Sequence, residues 1–241
     1  MNHFWRWVKN EVGGERSLYL NGAIAEETWF GDEITPQQFR AELTSGAGDI
    51  TVWINSPGGD VFAAAQIYTM LKEYPGRVTV KIDGMAASAA SVIAMAGDEV
   101  LMSPVSYMLI HNPATIAIGD GAEMLRTKAM LDEIKEGIIN AYESKTKLPR
   151  VQISQLMDAE SCFNAKKAVE LGFADRVLYE EAQSVADAAP VIFYRAAITN
   201  SMVSRLQRGV GGVPAKGLEM RLRYLSQLTD SRTNESTSML Q

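Results

Sequence analysis

His3 and His111 are the chain's two histidines, so imidazole chemistry near neutral pH has two candidate positions. His3 stands among the first residues, where no rigid partner is expected to orient it. His111 follows the apolar run 107–110 and precedes Asn112-Pro113, a pair that forces the chain into an extended turn. A strand end there would support a general base, or equally a structural histidine. Ser88 lies in Gly84-Met85-Ala86-Ala87-Ser88-Ala89-Ala90, just past an apolar strand and at the mouth of an Ala-rich helix. A hydroxyl so placed meets the positive end of a helix, beside N–H groups free to stabilise an oxyanion. The same position suits a capping serine. Ser91, one turn deeper, reads as packing. Asn55-Ser56-Pro57-Gly58-Gly59 carries a strand into a turn whose N–H groups no side chain covers, fit for an oxyanion, carboxylate or phosphate. Neither a dinucleotide fingerprint nor a Gly-Lys-Ser/Thr phosphate loop is present. Asp120, Asp132 and Glu133 make no ligand cluster with a histidine, so neither a metal nor another cofactor is expected.

These groups need elements to hold them. Residues 17–20 read as a strand closed by Asn21-Gly22, and 35–43 as a helix with Thr35 as cap and Pro36 in its first turn. Residues 50–55 are β-branched and end at the Ser-Pro-Gly-Gly turn. Val61, Ala64, Ala65, Tyr68 and Leu71 then fall at helical spacing over 61–73. A strand over 78–82, an Ala-rich helix over 86–96 and short strands over 99–102 and 107–110 follow. Residues 121–146 form a long amphipathic helix, with Met124, Leu125, Met130, Leu131, Ile134, Ile138 and Ile139 on its apolar side. A shorter helix near 154–157 and one over 165–171, capped by Asn164 and closed by Gly172, complete the body. Strand–helix alternation at these lengths implies right-handed crossovers and a mostly parallel, buried sheet.

Composition narrows the classes. Of 241 residues 46% are hydrophobic and 22% charged, enough apolar material for a sizeable core. No apolar run reaches the ~18 residues of a membrane span, and 1–16 lacks the apolar stretch of a secretory signal. Cys162 stands alone, which excludes an internal disulfide. A cytoplasmic setting is expected. The net charge of −6 argues against general nucleic-acid binding. Yet residues 191–241 hold 7 Lys/Arg and 3 Asp/Glu, against 16 and 26 in 1–190. The basic tail is either a docking segment or a solvated helical extension, with 219–228 its helix-forming part. Trp5, Trp7, Trp29 and Trp53 read as packing or subunit contacts.

Taken together, Ile54-Asn55-Ser56-Pro57-Gly58-Gly59, Gly84-x-Ala86-Ala87-Ser88 and Leu109-Ile110-His111-Asn112-Pro113 resemble, in order and spacing, the proteolytic subunit of the Clp protease (ClpP family). The similarity runs on through Ala168-Val169-Glu170-Leu171-Gly172-Phe173-Ala174-Asp175 and covers about 17–177. It implies an α/β fold, the ClpP/crotonase-like spiral of βαβ units, followed here by a helical C-terminal extension. The expected divisions are an N-terminal segment 1–16, a protease domain 17–180 and an extension 181–241. The resemblance further implies a homo-oligomeric ring acting on protein substrates, with Ser88 as nucleophile, His111 as base and the N–H groups of Gly59 and Ala89 as oxyanion hole. It places the triad acid at Glu160, where the family carries Asp; Asp158, two residues earlier, is the rival, and a Ser-His dyad the third alternative. The start of the chain departs from the family's hydrophobic axial segment, which puts an ATPase unfoldase partner in doubt. With the basic extension it looks more like the ClpP-like head maturation proteases of phages, whose implied substrates are scaffold and capsid proteins. A crotonase-type acyl-CoA enzyme would share the fold but has no use for a Ser-His pair, and a non-catalytic structural ring is the remaining rival.

Overall fold

The computed structural model describes residues 4–9, 16–24 and 36–179, all within one compact unit, Met1–Phe193. Strands β1 (Trp5–Lys9), β2 (Arg16–Asn21), β3 (Ile50–Ser56), β4 (Val78–Ala87), β5 (Glu99–Met102) and β8 (Arg176–Val177) lie side by side in that order. Every pair is parallel except β1 with β2. Helices α1 (Pro36–Thr44), α2 (Val61–Lys72) and α3 (Ala89–Ala94) occupy the crossovers, giving the mixed α/β architecture that the alternation implied. Apolar residues at alternate positions drive the packing. Leu18, Leu20, Ile50, Val52, Ile54, Val78, Val80 and Ile82 all point into the core. Tyr19, Trp53 and Lys81 occupy one register row on the other face, where Tyr19 stacks on Trp53 and the Lys81 ammonium lies over the Trp53 ring.

β4 decides where the chemistry can sit, because it changes partners. Residues Thr79–Ile82 pair with β5, whereas Met85–Ala87 pair with Tyr107–Leu109 of β6 (Tyr107–Leu109). Against β3 the register jumps from Ile54↔Ile82 to Ser56↔Ala86, so a bulge of extra β4 residues bends the strand out of the main sheet. β6 pairs in turn with β7 (Cys162–Asn164). The remaining helices are α4 (Gly121–Thr146), α5 (Arg150–Asp158) and α6 (Ala165–Glu170). α4 has the bounds its pattern gave, and Asn164 caps α6 through its side chain.

Three expectations need correction. The Ala-rich helix begins at Ala89 rather than at 86, because Met85–Ala87 are held in a strand ladder with β6 that outweighs the high helix propensity of alanine. The first residues, expected to lack a rigid partner, include a strand: Trp5–Lys9 form β1, with Trp5 packed edge-on against Phe39 and donating Nε1–H to Glu42 at 2.7 Å. α5 starts at Arg150, four residues before the expected turn. His3, Trp29, Thr35 and the expected extension 181–241, with its helix at 219–228, lie outside the described residues.

Candidate active site

Ser88 occupies the turn where β4 becomes α3, with φ 54° and ψ −126°. Such a conformation costs a non-glycine residue about 1–3 kcal/mol and persists only where its surroundings hold it. Here the Ser88 N–H donates to Leu109 O at 2.8 Å, and the Ser88 carbonyl accepts from Ser91 N–H at 2.9 Å and from Ser91 Oγ at 2.5 Å. Its hydroxyl makes no capping hydrogen bond. The capping role open to Ser88 from sequence is therefore not the one it plays.

The Pro-Gly-Gly turn is brought against this serine by glycine alone. A Cβ on Gly58, whose φ is +92°, would lie 2.7 Å from both Ala87 O and Ser88 Cβ; one on Gly59 would lie 1.8 Å from Ile24 O. A single parallel bridge holds the turn, with Ile24 N–H donating to Gly58 O and Asp60 N–H to Ile24 O, both at 2.8 Å. The bridge uses Gly58 O and Asp60 N–H, so the Gly59 N–H takes no part in it. Ser56, buried, tightens the turn by donating Oγ–H to Gly22 O at 2.6 Å and accepting from Gly58 N–H at 3.1 Å. Asp60 then caps α2 by accepting from Ala63 N–H.

Ser88, Ala89, Gly59 and His111 line one cleft of about 240 Å³. Its opposite wall is a ridge of α4, formed by Met130, Ile134, Ile138 and Tyr142 at successive intervals of four. His111 Nδ1 lies 2.5 Å from Asn112 O. A carbonyl can only accept, so Nδ1 carries the proton and Nε2 is left as the basic nitrogen. No hydrogen bond joins Ser88 to His111 among the described residues.

The two candidate acids sit in different local structure. α5 ends at Asp158, and Glu160 lies beyond it with a left-handed φ of 48°. Ile110 N–H donates to Ser161 O at 2.9 Å, which brings the chain at Glu160 alongside the segment that runs from β6 to His111. Asp158 Oδ1 accepts from Lys135 Nζ at 2.7 Å and from Asn112 Nδ2 at 2.8 Å. The Lys135 contact first, and the Asn112 amide second, hold its carboxyl below the usual carboxylate range. Asp158 thus meets the residue after His111 rather than the ring.

Sequence reasoning missed Ser56 and Tyr142, and read Ser91 as packing alone. Ser91 lies three residues after Ser88, one helical turn, and that spacing was the available signal. Among the described residues no group of three or more His, Cys, Asp and Glu side chains could hold a metal ion, and no helix is long and apolar enough to cross a membrane.

The Clp protease family model matches residues 3–181. The ATP-dependent Clp protease proteolytic subunit of Carsonella ruddii (strain PV) is 32% identical over 170 residues, 69% of this chain and 86% of the relative. Proteolytic subunit 1 of Protochlamydia amoebophila (strain UWE25) is 26% identical over 184 residues, 73% of this chain and 88% of the relative. A chloroplastic proteolytic subunit-related protein 2 of Arabidopsis thaliana is 25% identical over 178 residues, 72% of this chain, which spans 63% of that protein's length. With a family match across most of its length and a strained serine, a histidine and a glycine turn in one cleft, the chain belongs to the Clp protease family of serine peptidases.

Proposed function

We propose that this chain is an endopeptidase that cleaves proteins through an acyl-enzyme on Ser88. The observation that carries the reading is the meeting of Ser88, His111 and the Gly59 turn in one cleft, with Ser88 held in a conformation that uses its hydroxyl for no structural bond. His111 Nε2 takes the Ser88 proton as Oγ attacks the scissile carbonyl. The N–H groups of Gly59 and Ala89 then receive the developing oxyanion, and the imidazolium returns its proton to the leaving amine. Water repeats the sequence to release the acyl group. Glu160 is the proposed acid partner of the imidazolium, and the apolar ridge of α4 fits an aliphatic or aromatic substrate side chain. Hydrolysis of a fluorogenic peptide with an apolar residue before the scissile bond tests the reading. Ser88→Ala and His111→Ala should each abolish turnover while thermal melting stays near wild type; retained hydrolysis in either purified variant would refute it.

We also propose a homo-oligomeric ring. The first half of α4 and the segment before it expose Ile116, Ile118, Leu125, Met124 and Met130, at 91%, 87%, 69%, 42% and 45%, an apolar run that a second copy would cover. A monomeric mass by light scattering at micromolar concentration would count against this. The finer reading, processing of scaffold or capsid proteins in a phage-infected cytoplasm, rests on the N-terminal sequence, which departs from the family's hydrophobic axial segment, and on the basic composition of 191–241. Portal and capsid genes beside this one would support it, and a neighbouring unfoldase gene would oppose it.

A further inference from the structure

Ser91 and Tyr142 are buried polar side chains that the mechanism above leaves unused, at 0% and 1% exposure. Ser91 Oγ lies 2.5 Å from Ser88 O and 2.8 Å from Tyr142 Oη. The Ser91 hydroxyl donates its proton to the Ser88 carbonyl, so the bond to Tyr142 takes its proton from the phenol. Burial pushes the Tyr142 phenol well above its ordinary range, which keeps it protonated as a donor. The relay therefore has one direction: Tyr142 to Ser91 to the Ser88 carbonyl.

That carbonyl belongs to the same peptide unit as the Ala89 N–H. The peptide is planar and trans, so its C=O and N–H point in opposite directions. Holding the oxygen inward, toward fully buried Ser91, aims the N–H outward, toward the approaching turn; a Cβ on Gly58 would lie 3.0 Å from Ala89 N. We propose that Tyr142 and Ser91 are positioning residues that lock the Ser88–Ala89 peptide so that its N–H points at the oxyanion. Tyr142 lies on α4, the helix that also forms the cleft's apolar wall, so the substrate wall and the oxyanion donor are set by one rigid element. Without the relay the Ser88 carbonyl keeps its backbone donor, Ser91 N–H, but loses the second contact that fixes the tilt of the plane.

The inference rests on Ser88 as the nucleophile, and its test separates the two. Peptide hydrolysis and inhibition by a peptide aldehyde, whose adduct with Ser88 places an oxygen in the same hole, are measured for the wild-type oligomer, Tyr142→Phe, Ser91→Ala and the double variant. Removing an oxyanion donor costs about 10²–10³ in rate; misaiming one should lower kcat about 10-fold with KM within twofold. Aldehyde affinity should fall by the same factor as kcat, and the double variant should be no worse than Ser91→Ala. Phe39→Leu, which trims a buried ring packed edge-on against Trp5 rather than against either relay residue, should lower the melting temperature and leave kcat alone. Should Tyr142→Phe not fold, Ser91→Ala reads the same contact. Folded variants with wild-type kcat and aldehyde affinity would overturn the positioning role while the nucleophile stands. A wild-type chain that neither hydrolyses peptide nor binds the aldehyde would sink both.

Discussion

Gly58→Ala and Gly48→Ala form a matched pair that isolates the close approach of the Pro-Gly-Gly turn to Ser88. Gly58 has φ +92° and Gly48 φ +93°, so alanine meets the same left-handed backbone at either position. That backbone penalty is about 1–2 kcal/mol, which in a domain of this size lowers the melting temperature by about 2–4 °C per kcal/mol. The surroundings differ. Around Gly48 a new Cβ meets nothing within 4 Å, whereas at Gly58 it meets Ala87 O and Ser88 Cβ at 2.7 Å. Ordinary contact begins at 3.4 Å, so the turn must retreat from the serine by about 0.7 Å. A misplacement approaching 1 Å at a reacting centre can lower the rate on the order of 10²-fold. Gly48→Ala should therefore melt lower but hydrolyse peptide at the wild-type rate. Gly58→Ala should melt at least as low and lose about 10²-fold in kcat/KM. Thermal melts and peptide hydrolysis on both proteins decide it. A Gly58→Ala enzyme within threefold of Gly48→Ala would show that the turn does not shape the catalytic cleft.

Glu160→Gln should retain the fold and lose about 10²–10⁴ in kcat if Glu160 partners the imidazolium, while Asp158→Asn should change kcat far less; the reversed order moves the role to Asp158, and wild-type rates in both leave a Ser-His dyad. Acid stability provides a separate check. Arg176 first, and Arg77 after it, hold the Glu99 carboxyl below its ordinary range, so its stabilisation is present above the free carboxylate pKa near ~4.3 and is lost as pH falls through the lowered value. Glu99→Gln should flatten that acid limb in urea titrations at successive pH values, and an unchanged slope would contradict the assignment.

Much of the fold was legible because local signals agreed with the tertiary outcome. β-branched runs gave β3 and the first half of β4, Asn164 and Gly172 bracketed α6, and α4 carried a long helical period. What failed to show was set by pairing at a distance. Met85–Ala87 have a helix-forming composition and are held as strand by β6. Trp5–Lys9 gain their order from β2 and from Phe39 and Glu42, more than 30 residues away. The site divides in the same way. Ser88, His111 and Gly59 were legible as candidates because each stands in a short motif near an element boundary, and the structure brings all three to one cleft. The Tyr142 hydroxyl meets Ser91 across 51 positions, and no spacing rule connects them. Glu160 rests on the resemblance alone, and its left-handed turn and its approach to the segment before His111 exist only in three dimensions.

The most direct measurement is the site of reaction with a fluorophosphonate. The phosphorus should bond to Ser88 Oγ with loss of fluoride, the proton passing to His111. Digestion and mass spectrometry should place a single adduct on the peptide containing Ser88, and His111→Ala should abolish it. An unlabelled wild-type protein, or an adduct on another serine, would contradict the account.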